Sequence, residues 1–143
     1  MTKRNKIIIG VALLLALVLG GVQYSQSLIG NSDIKEVTIN IYVLDELKES
    51  IVLETQEATL ADLLDTSSQL NVESIMGDYG YYLQGLGIDE VFMEDPTSNI
   101  YWVYESSNNE GCVSAGYCDA ANIVALADGD VFDFKLTDFS NGY

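Results

Sequence analysis

The sequence predicts an α+β fold in which one helix packs across one face of a sheet, and three observations lead there. Residues 37–43 and 100–105 each alternate apolar and polar side chains with period two, the mark of half-buried strands. Between them, residues 59–65 (TLADLLD) carry a capped apolar stripe at helical spacing. An Asp128-Gly129 turn then feeds a last alternating run over 131–136. Strand, strand, helix and further strands in that order make an α+β domain with the helix on one face of the sheet.

The chain starts with a positive stretch, Lys3, Arg4 and Lys6, followed by sixteen uncharged apolar or glycine residues over 7–22. This is the form of a secretion signal. Its length lies between a typical signal core and the ~20 residues that cross a bilayer, so residues 1–27 are expected to be a signal peptide or a membrane anchor. Ser25 and Ser27 stand where small residues precede a cleavage site, with Leu28 first in the mature chain. No cysteine follows the apolar run, which argues against a lipoprotein, and the basic end is expected to stay in the cytoplasm. Residues 28–33 read as a short tether and 34–143 as one folded domain at the cell surface or outside the cell.

Beyond residue 27 the chain holds all 22 acidic residues against Lys35, Lys48 and Lys135, a formal charge of −19. Nucleic acid and anionic headgroup surfaces both require clustered cations and are disfavoured as partners. The membrane is expected to be met only through the N-terminal segment, if it is uncleaved. Most of the carboxylates should occupy solvated faces, although they could also attract a cationic partner or divalent ions. Aromatic and β-branched residues are plentiful, so the charge excess does not imply disorder.

Element by element, residues 34–44 form the first strand, with Val37, Ile39, Ile41 and Val43 alternating with Thr38, Asn40 and Tyr42. A charged turn over 45–49 brings residues 51–53 back as its hairpin partner. Thr59 is placed to accept from the backbone N–H of Asp62 as an N-cap, and Leu60, Leu63 and Leu64 share a face that Leu70 extends. The run GDYGYYLQGLG (77–87) is punctuated by Gly77, Gly80, Gly85 and Gly87, which suits turns or bulges in a sheet. In 100–105, Ile100, Trp102 and Tyr104 share one face and Tyr101 and Val103 the other. In 131–136, Phe132, Phe134 and Leu136 point inward, while residues 123–127 fit a strand or a loop.

The segments TLADLLD (59–65), the tyrosine-glycine run, YWVYE (101–105) and DGDVFDF (128–134) together resemble the C-terminal domain of transcobalamin and intrinsic factor, a domain that recurs alone in bacterial surface proteins. The resemblance covers roughly residues 34–138. It implies a β-grasp-like mixed sheet of four or five strands packed on one helix. It also implies capture of a corrinoid such as cobalamin, or of another small molecule, for a transporter component or partner protein. The helical domain that completes the cobalamin site in the animal carriers is absent, and SSNNEGCVSAGYC (106–118) stands where an Asn-Gly turn is expected.

That segment holds both cysteines, Cys112 and Cys118. In an exported chain an oxidising compartment favours a disulfide, with a loop short enough that it contributes less than the ~3 kcal/mol of a fifteen-residue loop. Metal binding is the rival reading, but two thiolates without histidine complete no zinc tetrahedron unless carboxylates join. The chain has no histidine at all, so Ser-His-Asp and Cys-His catalysis are excluded. Paired carboxylates remain for glycoside chemistry, but a domain of this size offers little cleft. Asp128, Asp130 and Asp133 lack the ligand spacing of a calcium loop and read as a solvated turn. No catalytic residue, metal site or resident cofactor is expected.

Tyr79, Tyr81, Tyr82, Tyr101, Trp102, Tyr104 and Tyr117 form the remaining lead, because rigid amphipathic rings are enriched at recognition surfaces. By alternation, Trp102 and one of Tyr101 and Tyr104 must face the core. The candidate ligand surface is therefore Tyr81, Tyr82, Tyr101 and Tyr104, with Tyr117 in the Cys112 to Cys118 loop. The competing expectation is a structural or interaction domain that docks a protein through a sheet edge or this loop.

Overall fold

The computed structural model describes residues 33–142. The expected signal or anchor segment, 1–27, and the tether up to residue 32 lie outside the described residues. Seven strands and two short helices follow: β1 (Lys35–Val43), β2 (Glu46–Thr55), α1 (Leu60–Thr66), β3 (Asn71–Gly77), β4 (Gly80–Gly87), β5 (Phe92–Met93), a 3-10 turn (Pro96–Ser98), β6 (Ile100–Glu105), α2 (Glu110–Ala115) and β7 (Val131–Asp138). The fold is α+β and dominated by strands.

The strands form two sheets. The larger is mixed, in the order β2-β1-β7-β6, and β3-β4-β5 form a smaller antiparallel one. At the centre of the larger sheet β1 and β7 run parallel, with Ile39 opposite Phe132 and Ile41 opposite Phe134. Their inward residues are fully buried, as the period-two pattern requires: Val37, Ile39, Ile41 and Phe132 have no exposed surface. Leu60, Leu63 and Leu64 of α1 complete this core, each at 2% exposure or less. Burial of one such side chain stabilises the fold by roughly 1.5–3 kcal/mol, so helix and sheet hold each other in place.

Local chemistry explains the element ends. Thr59 Oγ1 accepts from Asp62 N at 3.3 Å, the expected N-cap. Leu70 lies beyond the helix but is buried in the same core. The β1–β2 turn differs from expectation: it is the two-residue pair Leu44-Asp45, not 45–49, and β2 begins at Glu46. Both turn residues have positive φ, 48° and 71°, which matches the twist of a two-residue hairpin. Leucine carries no signal for that conformation, so the early return of the chain was hidden. A bulge between Ile41 and Tyr42 takes up the extra residue Lys48.

Residues 123–127 prove to be loop with an isolated Thr59–Ala125 bridge, held to the start of α1 by Leu60 N donating to Val124 O and Leu126 N to Ala58 O, with Val124 and Leu126 buried in the core. Asp128 is not a free turn carboxylate, since its Oδ1 accepts from Glu36 N at 2.8 Å. Nor is Asp130 solvated: it is 3% exposed, and its Oδ2 accepts from Asn109 Nδ2 at 2.7 Å and from Ala127 N at 2.9 Å. The solvated-turn reading fails because the loop before β7 folds back onto the segment that follows β6, and a buried carboxylate there needs donors.

Candidate functional site

The tyrosine-glycine run supplies the site by turning sharply. Gly77 and Gly80 pair across the two-residue turn Asp78-Tyr79, and Gly80 has a φ of 106°. A Cβ at residue 80 would come within 2.8 Å of Asn122 Oδ1, so only glycine admits this approach. The Asn122 oxygen in turn accepts from Tyr81 N at 3.0 Å and pins the start of β4 to the loop behind it. Tyr81, Tyr82 and Leu83 then run beside Trp102, Val103 and Tyr104 of β6. Between these two triplets opens an apolar cleft of about 120 Å³ whose floor is Leu64, Ala121 and Phe134.

Three consecutive residues from each strand line the cleft, so it faces the strand edges rather than one sheet face. No ladder joins β4 to β6 among the described residues. Phe139 N donates to Asn99 O, which sets the phase of the β6–β7 ladder: odd-numbered β6 residues bond β7, and the backbone groups of Trp102 and Tyr104 face the other way.

Each cleft tyrosine ends on an acidic residue. Tyr81 Oη donates to Asp65 Oδ1 at 2.8 Å, and Tyr82 Oη to Glu94 Oε2 at 2.5 Å. Tyr104 Oη donates to the backbone carbonyl of Asp119. Burial pushes the Tyr81 phenol well above its ordinary range; the Ser74 hydroxyl opposes this and Asp65 adds to it. The Glu94 hydrogen bond lifts Tyr82 to about 12, with burial and the nearby Tyr101 adding to it. Burial, helped by the Asp119 charge, raises Tyr104 in the same direction. All three are neutral phenols at physiological pH.

Tyr104 also stacks on Phe134, ring centres 5.1 Å apart and 15° from parallel, which locks its ring against the core. Trp102 donates Nε1 to Phe92 O at 3.2 Å while its ring lines the cleft. Tyr81, Tyr82 and Tyr104 are thus brought together as one site. Tyr101 is not part of the lining; it packs on Phe139, ring centres 6.4 Å apart. Tyr117 is 66% exposed and borders a separate shallow hollow beside the disulfide, with Glu105 and Asp133. Sequence reasoning missed Trp102 and Val103 as lining residues, because alternation assigns faces and says nothing of edges.

Cys112 and Cys118 form a disulfide. It closes α2, whose first turn is capped by Asn109 Oδ1 accepting from Cys112 N and whose end is the αL residue Gly116. Such a bond belongs to an oxidising, non-cytoplasmic compartment. Among the described residues no group of three or more histidine, cysteine, aspartate or glutamate side chains could hold a metal ion. No helix there is long and apolar enough to cross a membrane.

No family model matches the chain, and no curated protein does. Its fold is similar to a crystal structure from Ruminococcus gnavus ATCC 29149 described as a "putative metal binding protein". The TM-score is 0.54 and the identity 22%, over 76% of this chain and 99% of that one. At that identity the likeness is one of fold alone.

Proposed function

We propose that this chain is an exported, non-catalytic binding module of the cell surface, with a β-grasp architecture of the transcobalamin C-terminal type, that takes its ligand in the Tyr81–Tyr82–Tyr104 cleft. A hairpin, a helix across the sheet and a last strand returning parallel beside the first support the β-grasp reading. The observation that carries the function is the cleft itself, an apolar concavity walled by aromatic rings whose hydroxyls are already held by fixed acceptors. Residues 1–27 would export or anchor it, in keeping with the disulfide.

Size limits the ligand. At about 120 Å³ the cleft is well below the ~300–1,000 Å³ that encloses a drug-sized molecule. A corrin macrocycle could place only an edge or a substituent there, so cobalamin capture by this chain alone would be weak and would call for a partner surface. The metal named for the Ruminococcus protein finds no prepared cluster among the described residues.

A second reading rests on the outer edge of β6 beyond the Asp95–Ile100 bridge, which no strand of the described residues pairs and where Trp102 and Tyr104 present backbone donors and acceptors to an incoming strand of a surface protein. One experiment separates the two. The single tryptophan of the chain, Trp102, lines the cleft, so its fluorescence should respond to occupants. A panel of small fragments, with cyanocobalamin measured separately by equilibrium dialysis, should yield saturable binders whose signal is lost in Tyr82→Ala. If no compound perturbs Trp102 and cobalamin is not retained at millimolar concentration, the small-molecule reading falls and the docking module stands.

A further inference from the structure

The cleft combines three properties that together specify a ligand class. Five of its nine lining residues are aromatic; its tyrosine hydroxyls are all committed as donors, two to the carboxylates of Asp65 and Glu94; and no lysine or arginine of the described residues is among its lining. A phenol that donates to a carboxylate carries more electron density on its ring, and a ring face attracts a cation in proportion to that density. The third carboxylate nearby, that of Asp119, acts on Tyr104 in the same sense. Every lysine of the described residues is engaged elsewhere: Lys35 with Glu57 O, Lys48 with Glu46, and Lys135 with Glu105 and the Tyr42 ring. Asp65 and Glu94 have no ion-pair partner among the described residues.

We propose that the aromatic cleft between β4 and β6 binds a small organic ammonium ion, such as a trimethylammonium group, held by the rings of Tyr81, Tyr82, Trp102 and Tyr104 and by the charge of Asp65 and Glu94. The proposal rests on the binding-module reading and names its ligand class. A weakly hydrated, methylated cation suits this site better than a metal ion or a primary ammonium. The lining is mostly apolar, its tyrosine hydroxyls are already hydrogen-bonded to protein acceptors, and methyl groups suit a volume of about 120 Å³ better than a hydrated ion does. The carboxylates sit behind the rings, at the hydroxyl ends, and so add attraction without direct contact.

The test compares choline chloride with its neutral isostere 3,3-dimethylbutan-1-ol on the full chain, at ionic strength held constant with sodium chloride and read by Trp102 fluorescence. Choline should saturate, and the alcohol should bind at least about tenfold more weakly, as expected for a desolvated cation–π contact. Asp65→Asn with Glu94→Gln keeps an acceptor for each hydroxyl and removes the charge, so choline affinity should fall about tenfold while the alcohol is unaffected. Equal binding of choline and alcohol, or choline binding that survives the double variant, overturns the proposal. If other fragments bind and choline does not, the ammonium assignment fails and the module stands; if nothing binds, both fail. The choline–alcohol comparison needs no variant to fold.

Discussion

Tyr82 meets Glu94 twelve residues away, and Tyr81 meets Asp65 across sixteen. Neither partner stands out in a chain with 22 acids, which is why the tyrosines were legible as candidates and their acceptors were not. The pairings have a consequence at high pH. A phenol held above its unfolded value near 10 binds its proton more tightly in the folded state, so its stabilising contribution is complete below pH 10. It is lost as pH rises toward the folded value, about 12 for Tyr82, and Tyr81 and Tyr104 act in the same direction. Ultraviolet titration should therefore show the three cleft tyrosines ionising only above pH 10, together with loss of structure. In Glu94→Gln, Tyr82 should move back toward 10. Ionisation of the cleft three near pH 10 in a still-folded protein would contradict the three hydrogen bonds.

Elements were legible where a period could run its course. β1, β7 and α1 each bury one face and β6 half-buries one, and their apolar residues repeat at strand or helix spacing. Helix α2 escaped because six residues are too few for a period and only Cys112 of them is buried. Its support is a polar hub. Asn109, 1% exposed, caps the helix through Oδ1 and donates from Nδ2 to Ala125 O at 2.9 Å and to Asp130 Oδ2 at 2.7 Å. One side chain thus ties α2 to the loop that leads into β7. Asn109→Ala removes the cap and leaves Asp130 buried with the Ala127 N–H as its remaining donor. The combined loss of a cap and of buried hydrogen bonds is about 2–4 kcal/mol, to be read as a lower urea midpoint at unchanged slope. A change below about 0.5 kcal/mol would show that the hub is not needed to hold this loop.

For the molecule as a whole, charge is the dominant unresolved force. Residues 28–143 carry a formal −19, and the described residues contain two ion pairs, Lys48–Glu46 and Lys135–Glu105, both near the surface. Exposed pairs of this kind contribute about 0–1 kcal/mol each, too little to offset the mutual repulsion of so many carboxylates. The composition alone revealed this imbalance, whereas the layout of strands into two sheets was not legible, since the tyrosine-glycine run could be read as strand but not assigned to a separate sheet. Repulsion among solvated charges is long-ranged, and raising salt from 0.01 M to 0.15 M shortens its reach from ~30 Å to ~8 Å. Stability should therefore rise over that interval, the opposite of a protein held by surface ion pairs. Urea midpoints measured across a sodium chloride series should increase smoothly, and sodium and potassium should act alike. Calcium at matched ionic strength should exceed them only through its higher valence, without a stoichiometric endpoint. Midpoints that fall with salt would mean that the two ion pairs outweigh the net repulsion, and a sharp gain at equimolar calcium would reveal a specific divalent site instead of diffuse screening.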